Sequence, residues 1–459
     1  MPAVERPETI QAYLDAVGEQ IRWKRARPVV ARELEQHLTD QRDAFTAEGN
    51  DPEVAERMAV EEMGDPVSVG TALDRVHRPR PQWGMLAAMA VSLCGWLALR
   101  LFERYGVSYF PEYIWRFDAI ALLACGVAAA MYFLDYTWLG RKPLLLAVPL
   151  LCLPFFQSVL EVTKDYTYQI GTYTTLLVPL ALALAIYALR DRGTAGLALC
   201  CVLGLLPVAA CMAAEEPFGM GMLWSCLLCN TALLAYGQRR GLFGSKRRNW
   251  LLVAGYGLAV LACLAVVMRH TGYWSVLWEL PEWMTCHRDR IRDIVGHAKF
   301  LGMAEVSAEV REYLRLALRL GGYENQLLVL LGSFGWAAFL LAQAPMAVLL
   351  GTGWRTCRRQ TSELGRLVSV SILLTLTWQA GANVLQNFVP VSNLLTAYPY
   401  PLLTDGGTAL VIDCALLGLL LSVFRGSSIA RDTIRSQTVQ TTQKLSEQPR
   451  DRKHFWLFC

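Results

Sequence analysis

The stretch that decides the fold is Tyr398-Pro399-Tyr400-Pro401-Leu402-Leu403-Thr404-Asp405-Gly406-Gly407. It acts together with the apolar run 408–424, which follows it and stops at Arg425. Its prolines prevent a regular helix, because proline lacks a donor N–H and restricts the residue before it. Gly406 and Gly407 allow backbone conformations that other residues avoid. The apolar run has about the length of a helix that crosses a bilayer. We therefore expect a non-helical segment beside a spanning helix, and a site there, because irregular backbone at membrane depth is tolerated where protein buries it or where it lines a wet cavity.

The composition of the whole chain indicates a membrane protein. Of the 459 residues, 54% are apolar and 18% are charged, whereas about 25% of the residues in soluble domains are charged. The charged residues concentrate at the two ends of the chain, in 1–82 and 426–459. The net charge of +4, without a basic face rich in aromatic residues, argues against a nucleic-acid partner.

Between these ends the sequence alternates apolar runs with short polar loops. The apolar runs cover residues 84–101, 117–134, 143–161, 172–189, 195–214, 219–237, 250–268, 325–350, 367–388 and 407–424. Most of them have the roughly 17–25 residues that a spanning helix needs. The sequence thus predicts an all-α, polytopic integral membrane protein with about ten transmembrane helices in 84–425. The fifth and sixth runs meet at a short turn, 215–219, and a re-entrant pair is the alternative there.

The short loops predict the orientation of these helices. The basic loop residues that share one face are Arg141, Lys142, Arg190, Arg192, the cluster 239–248, Arg355, Arg358, Arg359 and Arg366. Basic loops lie on the cytoplasmic side of membrane proteins. We therefore expect both termini to be cytoplasmic, with 426–459 as a cytoplasmic polar tail and the long loop 269–324 outside.

The first eighty residues predict a small helical domain of their own. Apolar residues recur there at helical spacing, and Asp51-Pro52 and Asp65-Pro66 are helix-start signals, with aspartate as the cap and proline in the first turn. The motif 62–66 (Glu-Met-Gly-Asp-Pro) and the closing motif 74–79 (Asp-Arg-Val-His-Arg-Pro) resemble the permease prefix domain of bacterial membrane proteins. The resemblance implies a cytoplasmic helical domain in 1–80.

The outer loop 269–324 is rich in basic residues. Arg290 lies in its first half, and Arg311, Arg315 and Arg319 recur at helical spacing in its second half. Arginine forms charge-assisted, often bidentate bonds to phosphate oxygens, so these residues are candidate ligands of a pyrophosphate group. The alternative is an amphipathic helix that lies on the membrane surface. The histidines and aspartates of this loop match no metal-ligand spacing, so no metal site is predicted.

The C-terminal motifs resemble those of the SEDS family, the shape, elongation, division and sporulation proteins. The family pattern has Gln and Asn four residues apart, then a Pro-x-Pro segment and a Gly-Gly pair before the last helix. The positions that match it are Gln379, Asn383, Pro399, Pro401, Gly406 and Gly407, with Thr404 and Thr408 in place of serines. Asp413 lies where the family often has Asn. The resemblance implies a ten-helix membrane domain and a bacterial cytoplasmic membrane location.

The resemblance also implies a catalytic carboxylate. In SEDS proteins an essential Asp opens the eighth helix, eleven residues before a Gly followed by an aromatic residue. Counting back from Gly335-Trp336 gives Glu324, which is one methylene longer. The alternative role for Glu324 is a hydrated helix cap, since an acidic residue in a first turn is favoured by the helix dipole alone.

The resemblance to the SEDS family implies a peptidoglycan glycosyltransferase that polymerises lipid II, or another undecaprenyl-linked precursor, at the outer face of the cytoplasmic membrane, in cell elongation, division or sporulation. Glu324 is the predicted general base. The predicted substrate-binding residues are Arg290, Arg311, Arg315, Arg319, Gln379, Asn383, Thr404, Gly406, Gly407 and Asp413. No cofactor is predicted, with a divalent cation left open, and the resemblance implies a class B penicillin-binding protein as partner. The alternatives are a catalytically degenerate regulatory protein and a transporter (flippase) of the lipid-linked precursor.

Overall fold

The computed structural model describes residues 8–24, 26–107, 114–162, 173–208, 220–270, 282–320, 326–388, 399–404 and 407–426. The helices in these ranges are α1 (Ile10–Gln20), α2 (Arg27–Ala47), α3 (Pro52–Met63), α4 (Pro66–His77), α5 (Trp83–Val107), α6 (Ile114–Phe133), α7 (Pro143–Val162), α8 (Val178–Leu189), α9 (Gly193–Leu205), α10 (Met220–Arg239), α11 (Arg247–His270), α12 (Glu282–His297), α13 (Ala308–Leu320), α14 (Gln326–Phe334), α15 (Trp336–Arg358), α16 (Glu363–Phe388) and α17 (Gly407–Arg425). Over the described residues the only β-type pairing is an isolated bridge between Tyr400 and Leu403. The all-α class predicted from the sequence is confirmed.

Helices α1 to α4 bury a hydrophobic cluster of their own, with Tyr13, Val17, Leu34 and Leu38 among its members. Asp51 and Asp65 cap α3 and α4 by accepting backbone N–H groups, at 3.2 Å from Glu53 and 2.8 Å from Ser68. These caps satisfy donors that the first helical turn leaves without an intrahelical partner. The division of the chain into domains at residues 80, 84 and 425 stays a prediction, and the tail from residue 427 onward lies outside the described residues.

Five of the described helices are long and apolar enough to cross a membrane, over Trp83–Arg100, Arg247–Val266, Trp336–Arg358, Glu363–Phe388 and Gly407–Arg425. Shorter apolar stretches occur at Ala119–Phe133 and Pro143–Phe156. The chain is therefore a polytopic, helical membrane protein. Its orientation in the membrane stays a prediction.

Helices α16 and α17 form the centre of the membrane-spanning part. The structure buries 72% of the spanning stretch of α16 and 78% of that of α17, compared with 22% for α5, α11 and α15. Helix α16 packs against α8, α10, α14 and α15, and α17 packs mainly against α6. The polar sequence features of α16 and α17 therefore lie inside the protein, whereas α5, α11 and α15 present their outer faces to the surroundings.

The structure corrects the prediction of a single span over 325–350. That run is divided into α14 and α15 at Gly335, whose φ is 91°. A Cβ atom at this position would lie 2.6 Å from the carbonyl oxygen of Lys299 and 2.8 Å from that of Phe300. Glycine allows both the left-handed backbone and the close approach of the outer loop, so the chain breaks the helix here.

The contact between α6 and α17 is unusually close because small residues line it. A Cβ atom on Gly407 would lie 2.6 Å from Cδ1 of Ile120. One on Gly418 would collide with the backbone carbonyl oxygen of Ala128. The Ser422 hydroxyl then donates to the carbonyl oxygen of Leu134, across 288 positions of sequence. Small residues of this kind let helix backbones approach each other closely inside membranes.

Candidate functional site

A column of polar side chains winds along the buried surface of α16. Its members are spaced by four residues and are all buried: Ser371, Thr375, Gln379, Asn383 and Asn387. Residues four apart lie above one another on a helix, so the five side chains form a continuous line, which we call the polar column. Polar groups inside a membrane protein are costly unless they find partners. The column therefore identifies a place where the fold maintains specific polar contacts.

Asp413 of α17 meets the polar column at Gln379. The Gln379 Nε2 atom donates to Oδ2 of Asp413 at 3.2 Å, and the backbone N–H of Leu402 donates to the same oxygen at 3.3 Å. Both side chains are fully buried. Within the described part of the chain, the Oδ1 atom of Asp413 and the Oε1 atom of Gln379 have no hydrogen-bond partner, which leaves acceptors for a water molecule or a hydroxyl group.

The segment 399–404 between α16 and α17 is non-helical, as predicted, and forms a tight turn. The backbone N–H of Leu403 donates to the carbonyl oxygen of Tyr400 at 3.1 Å, with Pro401 and Leu402 at the centre of the turn. Leu402 adopts a φ of 61°, in the left-handed region that non-glycine residues rarely occupy. Such a conformation costs free energy and persists only where its surroundings determine it. Here the hydrogen bond to Asp413 and the complete burial of the Leu402 side chain do so.

This finding changes the role expected for Gly407. We expected Gly406 and Gly407 to supply the unusual backbone conformation, but in the described residues of this segment the positive φ belongs to Leu402. Gly407 opens α17, where its missing side chain makes room for Ile120. Gly406 lies outside the described residues.

Two further contacts hold the turn from other helices. The indole Nε1 of Trp96, on α5, donates to the carbonyl oxygen of Thr404 at 2.7 Å. The Tyr400 hydroxyl donates to Oε1 of Gln343, on α15, at 2.6 Å. The turn is thus fastened to α5, α15 and α17, and its shape depends on all three helices.

At its C-terminal end, Asn387, the polar column reaches the beginning of α14. Asn387 Oδ1 accepts the backbone N–H of Leu328 at 3.3 Å, and its Nδ2 donates to the carbonyl oxygen of Asn383 at 2.7 Å. Leu328 lies in the first turn of α14, where backbone N–H groups lack intrahelical partners. Glu324, the predicted base, lies just before this helix and outside the described residues. The polar column therefore connects Asp413 to the helix that Glu324 precedes in the sequence.

The predicted cationic residues lie on the two helices of the outer loop. Arg290, on α12, places its guanidinium 4.9 Å from the ring centre of Tyr313 and 3.9 Å from a carboxylate oxygen of Glu309. Arg311 and Arg315 are exposed on α13. Arg319 belongs to the same helix, but its side chain lies outside the described residues. Helices α12 and α13 both pack against α14.

Asp293 fastens α12 to the start of α13. Its Oδ2 accepts the backbone N–H of Ser307 at 3.0 Å, and its Oδ1 lies 2.9 Å from Nδ1 of His297. Burial alone would raise the pKa of Asp293, but the hydrogen bonds from Ser307 and the neighbouring His297 lower it below its ordinary value. The carboxylate therefore stays ionised and holds the basic helices α12 and α13 together.

The structure brings some of the predicted site residues together and leaves others apart. Gln379 and Asp413 contact each other, and Thr404 lies in the turn that Asp413 holds. Within the described ranges, no hydrogen bond or ion pair links Arg290, Arg311 or Arg315 to this buried group. Asn387 and Trp96 were not predicted from the sequence. Asn387 could have been predicted from the sequence, because it continues the four-residue spacing of Gln379 and Asn383. Nothing in the sequence links Trp96 to Thr404, 308 positions away.

The fold and the buried polar column define a class of protein, the polytopic helical membrane proteins that keep a polar site within the bundle. Among solved structures, the chain resembles a chain of a peptidoglycan synthase complex, in a study of the structural coordination of polymerization and crosslinking. The TM-score is 0.53 at 19% identity, over 75% of this chain and 98% of the other. No family model matches the sequence, and the search of curated proteins gave no match.

Two further similar structures are those of the rod shape determining protein RodA of Thermus thermophilus. A point mutant of RodA gives a TM-score of 0.47 at 17% identity, over 76% of this chain and 98% of the other. RodA itself gives 0.45 at 16% identity, over 76% and 97%. At these identities the comparison with the synthase complex establishes a shared fold, and the RodA superpositions are less close. The polytopic, helical membrane fold predicted from the sequence is thus confirmed by the fold shared with the chain of the synthase complex.

Proposed function

We propose that this protein is a SEDS-like peptidoglycan glycosyltransferase that polymerises lipid II at the outer face of the bacterial cytoplasmic membrane. The observation that carries the proposal is the fold, which this chain shares with 98% of the matched chain from a peptidoglycan synthase complex. The polar column adds support, because it maintains buried polar groups along the helix between the turn and the beginning of α14.

The reaction requires a base and a stabilised leaving group. A sugar hydroxyl of one precursor forms a bond to the anomeric carbon of another, while the bond from that carbon to the lipid pyrophosphate breaks. The hydroxyl proton passes to a carboxylate within hydrogen-bond reach, the role we assign to Glu324. Arg290 and the α13 arginines stabilise the negative charge of the departing pyrophosphate.

Gln379, Asp413 and Asn387 have a different role in this proposal. They are buried, and they hold the Tyr400–Leu403 turn and the first turn of α14. We therefore assign them to positioning the site. Asn383, Thr404, Gly406 and Gly407 shape the same region.

The proposal includes a partner. The matched chain belongs to a complex that coordinates polymerization with crosslinking, and crosslinking of glycan strands requires a transpeptidase. We propose a transpeptidase of the class B penicillin-binding type as the partner of this protein. Co-purification of the two proteins from the native membrane, with the polymerisation rate measured alone and together, tests this pairing.

Polymerisation of lipid II by the purified protein, read on gels as glycan strands, tests the proposed activity. Glu324→Gln keeps the shape and hydrogen bonding of the side chain but removes proton acceptance, so we expect a loss of about 10²–10⁴-fold. Glu324→Asp restores the residue of the SEDS pattern and tests whether the carboxylate can be one methylene shorter. Glu305→Gln is the matched control, because Glu305 is an exposed carboxylate of the same loop and should leave the rate unchanged.

Each contrary outcome points to a different conclusion. Full glycan synthesis by Glu324→Gln would exclude this residue as the base. The absence of glycan strands with the unmodified protein and its partner would exclude the polymerase. A lipid II flipping assay in vesicles would then distinguish a transporter from a regulatory protein without activity.

A further inference from the structure

Three large apolar side chains are exposed in the short connection between α12 and α13. Phe300 is 67% exposed, Leu301 is 69% exposed and Met303 is 41% exposed. We call residues 299–304 the anchor loop. Exposed apolar residues grouped in this way mark a surface that meets another apolar phase or molecule.

Backbone hydrogen bonds fasten the anchor loop to the break between α14 and α15. They join Gly302 N to Phe334 O (3.1 Å), Ala304 N to Gly332 O (2.8 Å), Trp336 N to Lys299 O (3.0 Å) and Ala337 N to Phe300 O (3.0 Å). The end of one helix and the start of the next leave carbonyl and N–H groups without intrahelical partners. The anchor loop supplies those partners, and its backbone is therefore held in place.

Gly335 makes this attachment close. Its φ is 91°, and a Cβ atom added to it would lie only 2.6 Å from the carbonyl oxygen of Lys299, so there is no space for a side chain. The loop backbone therefore lies directly on the helix break, and the side chains of Phe300 and Leu301 point away from it into the surroundings. Because the backbone of the loop is held in place, its apolar side chains stay exposed and do not fold back against the protein.

The position of the anchor loop along α15 indicates what covers it. Ala337, bonded to Phe300, shares a helix face with Leu340, Leu341 and Val348, since residues three and four apart are neighbours on a helix. These three are exposed, and α15 is one of the helices long enough to cross a membrane. That face is therefore the lipid-facing side of α15. Phe300 and Leu301 lie where this face begins.

A charged pair and a tryptophan accompany the apolar side chains of the anchor loop. The Lys299 ammonium pairs with Glu305 at 2.5 Å, and these two residues flank the apolar group on either side. Half-buried Trp336 lies at the start of α15, and tryptophan is enriched where a membrane protein passes from lipid to water. The anchor loop thus combines a charged pair with apolar side chains beside an apolar helix face, a composition that fits the boundary between headgroups and acyl chains.

We propose that the anchor loop inserts Phe300, Leu301 and Met303 into the lipid leaflet at the end of the membrane where α15 begins. The occupant of this surface is phospholipid at the boundary between headgroups and acyl chains. The attachment fixes the height of α12 and α13 above the bilayer, because the anchor loop joins these two helices.

The test places an environment-sensitive fluorescent amino acid at Leu301 by codon suppression, in the full-length protein reconstituted into vesicles. The same label at Leu341, 73% exposed on the lipid-facing side of α15, is the positive control, and at Glu309, exposed on α13, the negative control. Lipids brominated near the headgroup or deep in the acyl chain are the quenchers. We expect a loss of fluorescence at Leu301 similar to that at Leu341 and greatest with the shallow quencher.

Quenching at Leu301 no greater than at Glu309 would overturn the proposal. A photocrosslinking amino acid at Phe300 gives an independent readout in the same vesicles. We expect covalent adducts with phospholipid, seen by mass spectrometry. Adducts with a second copy of the protein in place of lipid would assign the surface to a protein interface instead.

Discussion

At the scale of single residues, Asp413 and Leu402 depend on each other. Leu402 adopts a left-handed conformation that is unfavourable for its side chain, and Asp413 accepts its backbone N–H in the protein interior. A glycine at 402 would relax the backbone but lose a fully buried apolar side chain. The fold instead keeps leucine and uses a carboxylate from α17 to hold the turn.

Substitution of Asp413 tests this dependence. Asp413→Leu leaves the N–H of Leu402 and the amide of Gln379 buried without their acceptor, at about 1–3 kcal/mol for each group. Asp413→Asn keeps an acceptor oxygen in the same place and should cost less. We expect a clear fall in the melting temperature of the detergent-solubilised protein for the first variant and a smaller one for the second. Equal melting temperatures for both variants would show that the turn does not depend on this acceptor.

Asp74 makes the N-terminal helices sensitive to acid. The guanidinium of Arg78 donates to its carboxylate at 2.9 Å, and so does the backbone N–H of Arg22. The hydrogen bond from Arg78 is the main cause that lowers the pKa of Asp74 below its ordinary value, against the opposing effect of burial. A group with a lowered pKa in the folded state stabilises that state above its unfolded pKa, about 3.9 for aspartate.

We therefore expect α1 and α4 to lose protection as the pH falls below about 4, through the lowered pKa of Asp74. Amide hydrogen exchange of the full-length protein, followed by mass spectrometry, measures this protection. Asp74→Asn should show weaker protection at neutral pH and less change on acidification. An identical acid response in the two proteins would assign the effect to other carboxylates.

At the scale of secondary-structure elements, the sequence predicted those helices and helix ends that depend on interactions between residues close together in the chain. The capping residues Asp51 and Asp65 and the apolar runs are local signals, and helices occur at each of them. The break at Gly335 was not predicted, because it depends on hydrogen bonds to residues 299–304, which are distant in the sequence. For the same reason the left-handed Leu402 could not be found: its conformation depends on Asp413 in the next helix.

The contact between α6 and α17 gives a prediction at this scale. Gly418→Ala places a methyl group against the carbonyl oxygen of Ala128 and must push the two helices apart. Overpacking of this kind typically costs about 1–3 kcal/mol. Gly381→Ala is the control, since that helical position on α16 has no neighbouring atom within 4 Å and alanine is the better helix former. Thermal unfolding in detergent should show a lower midpoint for Gly418→Ala alone, and equal midpoints would contradict the close packing.

At the scale of the whole molecule, the orientation in the membrane is open to a direct test. The basic loop containing Ser245 should face the cytoplasm, and the anchor-loop side with Ser307 should face outward. Both serines are exposed, so Ser307→Cys should react with an impermeant thiol reagent in intact cells and Ser245→Cys only after permeabilisation. Native Cys286, exposed on α12, must be replaced first. Labelling of Ser245→Cys alone in intact cells would mean that the orientation is inverted.

The pairing of α6 with α17 also determines when the protein can finish assembling in the cell. Ser422 and its partner Leu134 are 288 positions apart, and Trp96 and Thr404 are 308 apart. At typical synthesis rates of about 5–20 residues per second, α6 waits roughly 15–60 s in the membrane before α17 leaves the ribosome. During that interval the face of α6 around Ala128 lies against lipid or an insertion factor, and the Tyr400–Leu403 turn cannot form. The site is therefore completed only after α17 has been synthesised and inserted, and a chain truncated before α17 would retain most of its helices and still lack it.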